Sequence, residues 1–302
     1  MRIFVTGATG FIGSAIISEL INAGHQVLGL TRSDAGAKSL AAAGAQVHRG
    51  DLEDLESLRS GAAQADGVIH CAFNHDFSKF VANCELDRCA IEALGSALVG
   101  SDRPLLVTSG LGLLAHGRAA TEDDMPPPPN PATYPRASEA AGDALLARGV
   151  NVSVVRLPQV HNTVKQGLVT YSIAVARQKG VSAYIGDGRN RWAAAHVLDT
   201  ARLYRLALEK GADPKTEPGA RYHAVAEEGV SARDIAEAVG RGLNVPIVSM
   251  TPEEAAGHFG WLGMFAGLDI VASSTQTQQR LGWRPIGPGL IADLEQMRYS
   301  EA

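Results

Sequence analysis

The chain has 302 residues, a formal net charge of −5 at pH 7, 45% hydrophobic residues and three cysteines. This length can bury a large core in one or two domains. The mild acidity excludes a charged surface for nucleic acid or anionic lipid, and no apolar run reaches the roughly 18 residues of a membrane span. The odd cysteine count predicts reduced thiols in a cytoplasmic protein. Because Met1 leads directly into an apolar run, no signal peptide is expected.

A strand, a glycine turn, a helix and a second strand are predicted at the start of the chain. The segments are Arg2–Thr6, the turn GATGFIG, Phe11–Ala23 and Val27–Leu30. This βαβ order places free backbone N–H groups and the positive end of a helix at one turn, which favours a nucleotide phosphate. Gly7 allows the tight turn, Gly10 lets the backbone approach a pyrophosphate, and Gly13 lets the helix pack on the strand. A glycine-rich turn without a nucleotide is the alternative.

Strands and helices continue to alternate along the chain. The later predicted strands are Gln46–His48, Gly67–Cys71, Pro104–Thr108, Val152–Arg156, Ala183–Ile185 and Tyr222–Val225. The predicted helices are Ala35–Ala43, Leu52–Ser60, Asp76–Val99, Tyr134–Ala147, Thr163–Lys179, Val197–Lys210, Ser231–Arg241, Pro252–His258 and one from Pro288. The proline-rich stretch Asp124–Pro131 is expected to be a surface loop. This alternation predicts an α/β fold with a doubly wound parallel sheet.

The residues after the second strand bear on the choice of dinucleotide. They are Thr31, Arg32 and Ser33, with the first acid at Asp34. A carboxylate here binds the free ribose 2′-hydroxyl of NAD, whereas a cation suits the 2′-phosphate of NADP. Arg32 can bind a phosphate through two N–H groups and stack on adenine, so NADP(H) is favoured over NAD(H). Because Asp34 follows, NAD with Arg32 stacked on its adenine stays open.

Several segments together resemble the extended short-chain dehydrogenase/reductase superfamily. They are TGATGFIG, VTSG after the fifth strand, Tyr134 before a helix, RLPQVHN after the sixth strand, GDGRNRWAAAHVLDTARLYRLAL, GVSARDIAEAVG and RLGWRP. The last is typical of the extended branch, which includes nucleotide-sugar epimerases and dehydratases. The resemblance spans nearly the whole chain. It implies a Rossmann domain over 1–160, to which 186–225 returns, and a smaller α/β substrate portion over 161–185 and 226–302.

The resemblance also implies positions for the cofactor. The glycine turn would meet the pyrophosphate, Asp51 and Leu52 would flank the adenine, and residues after later strands would line the ribose and nicotinamide. Beside Thr31, Arg32 and Ser33, the cofactor residues predicted in this way are Gly7, Gly10, Phe11, Ile12, Gly13, Asp51, Leu52, Cys71, Ala72, Phe73, Leu157 and Val160. Cys84 and Cys89 are expected to pack in a helix, and no metal-ligand spacing is present.

The catalytic residues of the superfamily are only partly present. Its members use a Tyr, a Lys four residues later that lowers the pKa of the phenol, and an upstream Ser or Thr. Here Tyr134 is present, Ser138 stands at the lysine position, and Ser109 precedes the usual hydroxyl position by one residue. A phenol of ordinary pKa is neutral at pH 7 and can still donate a proton to a carbonyl. Tyr134 and Ser109 are therefore predicted as the catalytic pair of an atypical NADP(H)-dependent reductase.

Two other functions stay open, and the substrate is a small molecule of unknown identity. One is a nucleotide-sugar epimerase or dehydratase, and the other is a catalytically weak dinucleotide-binding sensor or partner-binding protein. The predicted substrate contacts are His75, His161, Asn162, Arg191 and Trp192. Each has a structural alternative, such as a surface position, a salt bridge or core packing. Trp261, Met264 and Phe265 form either an apolar pocket wall or domain core. A homodimer through the helices over 76–99 and 134–147 is also open.

Overall fold

A computed structural model describes residues 1–299, and its main sheet is built from seven short strands. The strands are β1 (Arg2–Thr6), β2 (Gln26–Thr31), β3 (Gln46–Arg49), β4 (Gly67–His70), β5 (Leu105–Gly110), β6 (Val152–Leu157) and β10 (Arg221–His223). Their order is β10-β6-β5-β4-β1-β2-β3, and every neighbouring pair is parallel. The predicted parallel sheet is confirmed. The carboxyl ends of β1, β2, β4, β5 and β6 therefore meet at one edge, where α/β proteins of this type bind ligands.

Helices cover both faces of this sheet. The helices of the chain are α1 (Phe11–Asn22), α2 (Asp34–Ala42), α3 (Leu55–Ala63), α4 (Phe80–Ser96), α5 (Ser138–Leu146), α6 (Val169–Lys179), α7 (Val197–Gly211), α8 (Ala232–Leu243), α9 (Pro252–Phe259), α10 (Gly263–Ala266), α11 (Thr275–Leu281) and α12 (Leu290–Gln296). One core lies between the sheet, α1 and α7, and a second lies between the sheet, α3, α4 and α5. The strands are apolar on both sides because both faces are buried.

The remaining strands form two small sheets near the C-terminal part of the chain. They are β7 (Gln159–His161), β8 (Ser182–Ile185), β9 (Arg191–His196), β11 (Glu227–Ser231) and β12 (Ile247–Met250). One sheet has the order β11-β9-β7 and the other pairs β12 with β8. A third core joins α6, α8 and α12 to β9. Of these five strands only β8 was predicted, because runs of three to six residues carry little periodic signal.

The helix predicted to open at Tyr134 begins instead at Ser138. Tyr134 lies in a turn, where its N–H donates to the carbonyl of Asn130 over 2.8 Å. Pro135 explains the difference, since the residue before a proline is driven out of the helical region. Likewise, the helix predicted from Thr163 starts at Val169, after Gly167 has adopted a positive φ of 56°. The helix predicted from Asp76 starts at Phe80, after a short 3₁₀ turn over 77–79.

Two motifs that carried the family resemblance lie against each other in the fold. Asp199, in the first turn of α7, accepts hydrogen bonds from the backbone N–H groups of Ile286 and Gly287 over 3.0 and 2.6 Å. Trp283 of the RLGWRP segment is fully buried, and its indole N–H donates to the carbonyl of Asp199 over 2.9 Å. The two motifs thus attach the C-terminal segment to α7. Within residues 1–299, no helix has the length and apolarity to cross a membrane.

Candidate active site

The glycine turn between β1 and α1 is too tight for a side chain at Gly7 or at Gly13. Gly7 has a φ of +67°, and a Cβ there would lie 2.8 Å from the backbone N of Ala72. A Cβ on Gly13 would lie 2.0 Å from the carbonyl oxygen of Gly7. Gly10 caps α1 without a side-chain hydrogen bond, so the first N–H groups of the helix, including those of Phe11 and Ile12, point to a ligand position. This cradle fits a dinucleotide pyrophosphate.

Two arginines and two aspartates lie where the ends of β2 and β3 meet. Arg32 has an 82% exposed side chain, and its one ion pair within residues 1–299 is a long 3.5 Å contact with Asp51. Asp34, the acid that kept NAD open, forms an ion pair with Arg49. Both groups are accessible to solvent, since the side chain of Asp34 is 89% exposed in its ion pair and that of Arg32 is 82% exposed. Ser33 caps α2 by accepting a hydrogen bond from the N–H of Gly36 over 3.0 Å.

Some predicted cofactor residues face the protein interior. Thr31 is 5% exposed and Val160 is 3% exposed, and Leu157 packs against the core beneath α7. Cys71 donates a hydrogen bond from its Sγ to the carbonyl of Thr6 over 3.0 Å. Burial raises the pKa of this thiol to about 12, so it is neither a nucleophile nor a metal ligand at neutral pH.

The lysine position of the superfamily is occupied by a buried hydrogen-bonded chain of four residues. Ser138 donates to Asp87 Oδ2 over 2.6 Å. Asp87 Oδ1 lies 3.0 Å from His70 Nε2, and His70 Nδ1 lies 2.8 Å from Thr6 Oγ1. All four residues are at most 6% exposed, with Asp87 at 4%. We call this set the Ser138–Thr6 relay. It runs from the start of α5, through α4 and β4, to the end of β1.

Sequence reasoning missed the relay. Asp87 and His70 belong to none of the motifs that carried the family resemblance. A carboxylate on the apolar side of α4 was the available signal, because a buried acid requires hydrogen-bond partners. The relay gives the reason for Ser138 at this place. A small hydroxyl completes the hydrogen bonds of Asp87 without bringing a second charge into the core.

Tyr134 and Ser109 have the properties that the proposed chemistry requires. Burial raises the pKa of Tyr134, an effect that the nearby charge of Arg136 opposes only in part, so the phenol is neutral at pH 7. Ser109 lies at the end of β5 and is 3% exposed. Its hydroxyl has no hydrogen-bond partner within residues 1–299. A buried hydroxyl left without a partner is costly, and a bound ligand can supply the partner.

Four of the five predicted substrate residues are buried or contact other parts of the protein, and their role toward a substrate stays a prediction. His161 is fully buried in β7, with Nδ1 2.6 Å from Asp293 Oδ2, and Trp192 is 6% exposed. Asn162 closes its own loop by accepting hydrogen bonds from the N–H groups of residues 164 and 165. Arg191 forms an ion pair with Asp269 over 3.0 Å.

His161 and Trp192 are buried because the small sheet of β7 and β9 packs beneath α8 and α12, an arrangement that the sequence pattern did not indicate. The structure gives Arg191 the salt-bridge role that was its alternative. The burial of Trp192 is likewise its structural alternative.

His75 is exposed and belongs to an aromatic cluster. Its ring lies 5.3 Å from that of Phe73 and 6.0 Å from that of Phe77. Phe77 stacks on Trp261 with a centroid distance of 4.5 Å and an interplanar angle of 12°. We call the set Phe73, Phe77, Phe80, Tyr171, Trp261 and Phe265 the aromatic wall. It joins the loop after β4 to α6 and to residues 260–266. No group of His, Cys, Asp and Glu within residues 1–299 is placed to hold a metal ion.

Comparison with known proteins agrees with this architecture. The model of the NAD dependent epimerase/dehydratase family matches residues 3–96. UDP-glucose 4-epimerase from Thermus thermophilus, solved with NAD, superposes with a TM-score of 0.75 at 21% identity, and the match covers all of both chains.

Sequence relatives extend over the whole chain. An uncharacterised protein of Schizosaccharomyces pombe is 47% identical over 99% of this chain and 100% of its own. The decarboxylating sterol-4-alpha-carboxylate 3-dehydrogenase of Dictyostelium discoideum is 29% identical over 70% of this chain and 68% of its own. A ketoreductase of Stigmatella aurantiaca, named for a farnesylated hydroxy-oxo-dihydroquinoline oxide, is 29% identical over 70% of this chain and 65% of its own. The chain belongs to the NAD-dependent epimerase/dehydratase family, whose members are oxidoreductases and epimerases.

Proposed function

We propose that this protein is an NADP(H)-dependent reductase of a small carbonyl compound. Tyr134 donates the proton, and the hydroxyl of Ser109 polarises the carbonyl oxygen. The observation that carries the proposal is the buried Ser109 hydroxyl without a partner within residues 1–299, at the edge of the sheet where this fold binds its ligands.

Reduction suits this site better than oxidation. An oxidising enzyme needs a base to accept the proton of an alcohol, and burial keeps the Tyr134 phenol protonated. The lysine that would lower its pKa is absent, and Ser138 donates its hydrogen bond to Asp87 instead. These features count against a nucleotide-sugar epimerase, whose reaction begins with an oxidation. A reduction needs the neutral phenol that the site already provides.

The cofactor preference rests on Arg32. When bound, the dinucleotide supplies the hydride, and the protein holds it in place. The glycine cradle provides backbone N–H groups for the pyrophosphate, and the exposed guanidinium of Arg32 is available for a 2′-phosphate. Asp34 forms an exposed ion pair with Arg49, and Arg32 precedes it as the first charged group after β2.

The name of one relative, a ketoreductase, supports a carbonyl substrate, and the names of two relatives support a substrate of apolar character. One relative is a ketoreductase named for a farnesylated quinoline derivative, and the other is a dehydrogenase named for a sterol carboxylate. Neither name contains a nucleotide. The aromatic wall beside the candidate site is consistent with a substrate of this kind.

The test combines cofactor binding with turnover. The protein is titrated with NADPH and NADH by fluorescence, and NADPH oxidation is then followed with aldehydes, ketones, quinones and sugar nucleotides. Tyr134→Phe should lower turnover by roughly 10²- to 10⁴-fold, the usual contribution of a general acid, without weakening NADPH binding. Tyr184→Phe is the matched control, since that hydroxyl lies in β8 and accepts its hydrogen bond from Arg233.

The outcomes separate the three functions. Unchanged turnover in Tyr134→Phe would remove this residue from the mechanism. Tight NADPH binding without turnover on any substrate class would support a dinucleotide sensor. Turnover confined to sugar nucleotides would favour the epimerase or dehydratase function.

A further inference from the structure

A positive charge without a carboxylate partner lies beside Tyr134. Arg136 is partly buried, and its guanidinium carbon lies 5.3 Å from the centroid of Phe73 and 5.8 Å from that of Phe80. Within residues 1–299, no carboxylate forms an ion pair with it. Cation–π contacts hold such a group in place, but its N–H donors remain available. A partly buried cation without a partner favours the binding of an anion, because the anion replaces interactions that burial has removed.

The acids on α4 and in the loop after β4 form no ion pair with Arg136 within residues 1–299. Partial desolvation of the His75 ring lowers its pKa, and the positive charges of Arg136 and Lys165 lower it further. Asp87, the buried acid on α4, already accepts hydrogen bonds from Ser138 and lies 3.0 Å from His70 Nε2. Asp76 accepts hydrogen bonds from Ser78.

The aromatic wall continues from Arg136 to the C-terminal part of the chain. Phe80 lies 6.3 Å from Phe73 and 5.7 Å from Phe77, measured between ring centroids. From Phe77 the wall reaches Trp261, and Tyr171 lies 5.0 Å beyond, edge-on. Trp261 is 41% exposed and the adjacent Met264 is 58% exposed. Exposed apolar surface next to a polar site is typical of a ligand-binding surface.

Two arginines of the GDGRNRW stretch, one of them the predicted substrate residue Arg191, form ion pairs with nearby carboxylates. Arg191 forms an ion pair with Asp269 over 3.0 Å, and Arg189 forms one with Asp187 over 3.1 Å. A nucleotide diphosphate would have to displace these carboxylates. Arg136, by contrast, has no carboxylate partner within residues 1–299 that a ligand would have to displace.

We propose that the substrate is a planar apolar carbonyl compound that carries a carboxylate, with its rings on the aromatic wall and its carboxylate on Arg136. This inference deepens the proposed reductase function and rests on it for the carbonyl group. Arg136 is here a residue that determines specificity, and Tyr134 remains the proton donor.

Binding is tested with two probes that cannot be reduced and that differ in charge alone, 2-naphthoate and 2-naphthamide. The full chain is titrated with each by calorimetry, with and without NADP⁺. We expect 2-naphthoate to bind about 10-fold or more tightly than 2-naphthamide, as a charge-assisted hydrogen bond allows. Arg136→Gln should abolish this preference, and Arg136→Lys should keep part of it. Arg241→Gln removes an exposed guanidinium of α8 that pairs with Glu295; it is the matched control and should leave the preference unchanged.

A separate substitution tests the contribution of the aromatic wall to binding. Trp261→Ala should weaken both probes to a similar extent, because it removes stacking surface and no charge. Equal binding of the two probes to the wild type, a preference that survives Arg136→Gln, or no binding of either probe would each overturn the inference.

The reductase function is judged separately, by NADPH oxidation with 6-formyl-2-naphthoate and 2-naphthaldehyde. Carboxylate-selective binding without turnover of either aldehyde counts against the reductase alone. Turnover without preference for the carboxylate counts against the role of Arg136 alone.

Discussion

The glycine turn over residues 7–13 and the tyrosine segment over residues 134–138 lie at the same edge of the sheet. Different features of the chain determine the structure of each. The turn is defined by backbone that cannot accept a Cβ at Gly7 or Gly13. The tyrosine segment depends on side chains that come from α4, β4 and β5 as well as from its own turn. A cradle for phosphate needs only N–H groups and space, whereas a proton donor needs a surrounding that sets its pKa. Residues that are close in sequence therefore form the proposed cofactor cradle, whereas residues from distant parts of the chain form the surroundings of the tyrosine segment.

The strongest test of this contrast is a single methyl group in the glycine turn. Gly13→Ala places a Cβ 2.0 Å from the Gly7 carbonyl oxygen, so backbone must move. We expect NADPH affinity to fall by about 100-fold or more, since the displaced N–H groups bind the pyrophosphate. Fluorescence titration measures the change.

Gly257→Ala is the matched control, because Gly257 lies within α9 with no atom in the path of its Cβ. It should stabilise the protein by up to about 1 kcal/mol, as alanine does for glycine inside helices. Unchanged NADPH affinity in Gly13→Ala would show that the cradle is not where the cofactor binds.

For the tyrosine segment, the corresponding test is a substitution in the Ser138–Thr6 relay. Asp87→Ala leaves His70 Nε2 and Ser138 Oγ buried without their partner. At about 1–3 kcal/mol for each unsatisfied group, the free energy of unfolding should fall by about 2–5 kcal/mol. Urea denaturation measures this value. The exposed Asp102 provides the control, and Asp102→Ala should change stability by less than about 0.5 kcal/mol. Equal effects of the two substitutions would mean that the relay does not stabilise the fold.

Substitution of Arg32 should change the preference for NADPH over NADH, and we expect an effect of intermediate size. Arg32→Ala removes an accessible guanidinium whose one ion pair in the described part of the chain is the 3.5 Å contact with Asp51. If this group holds the 2′-phosphate, NADPH affinity should fall by about 10- to 100-fold, while NADH affinity stays within about 2-fold. Arg59→Ala, on the exposed side of α3, is the control. A parallel loss for both dinucleotides would indicate that Arg32 stacks on adenine instead.

The smallest expected effect is the response of reduction to pH. Burial raises the pKa of Tyr134 above its ordinary value near 10, and the reaction requires the protonated form. The rate of reduction should therefore be flat with respect to Tyr134 from about pH 6 to 9 and fall only above about pH 10. Initial rates at saturating NADPH check this expectation, with Tyr134→Phe as the baseline. A decline that begins near neutral pH in the wild type alone would mean that a positive charge lowers the pKa of the phenol.

The sequence by itself determined the parts of this protein that depend on neighbouring residues. Strand β1, the glycine turn and α1 follow from a periodic pattern within about twenty residues, and the structure has them with nearly the predicted bounds. The parallel sheet and the family resemblance follow in the same way, because alternating strands and helices have few compact arrangements. The effect of a proline on the residue before it is also local, and Pro135 indicates a helix start after Tyr134.

Only the tertiary structure decided the chemistry around Tyr134. Ser138 and Asp87 are 51 residues apart, and their hydrogen bond exists because α4 and α5 pack on the same face of the sheet. His161 and Asp293 are 132 residues apart, and their pairing buries a histidine that its position after β6 had suggested for the cleft. Whether a polar side chain is free for a ligand depends on which distant groups reach it, and periodicity carries no information about those groups.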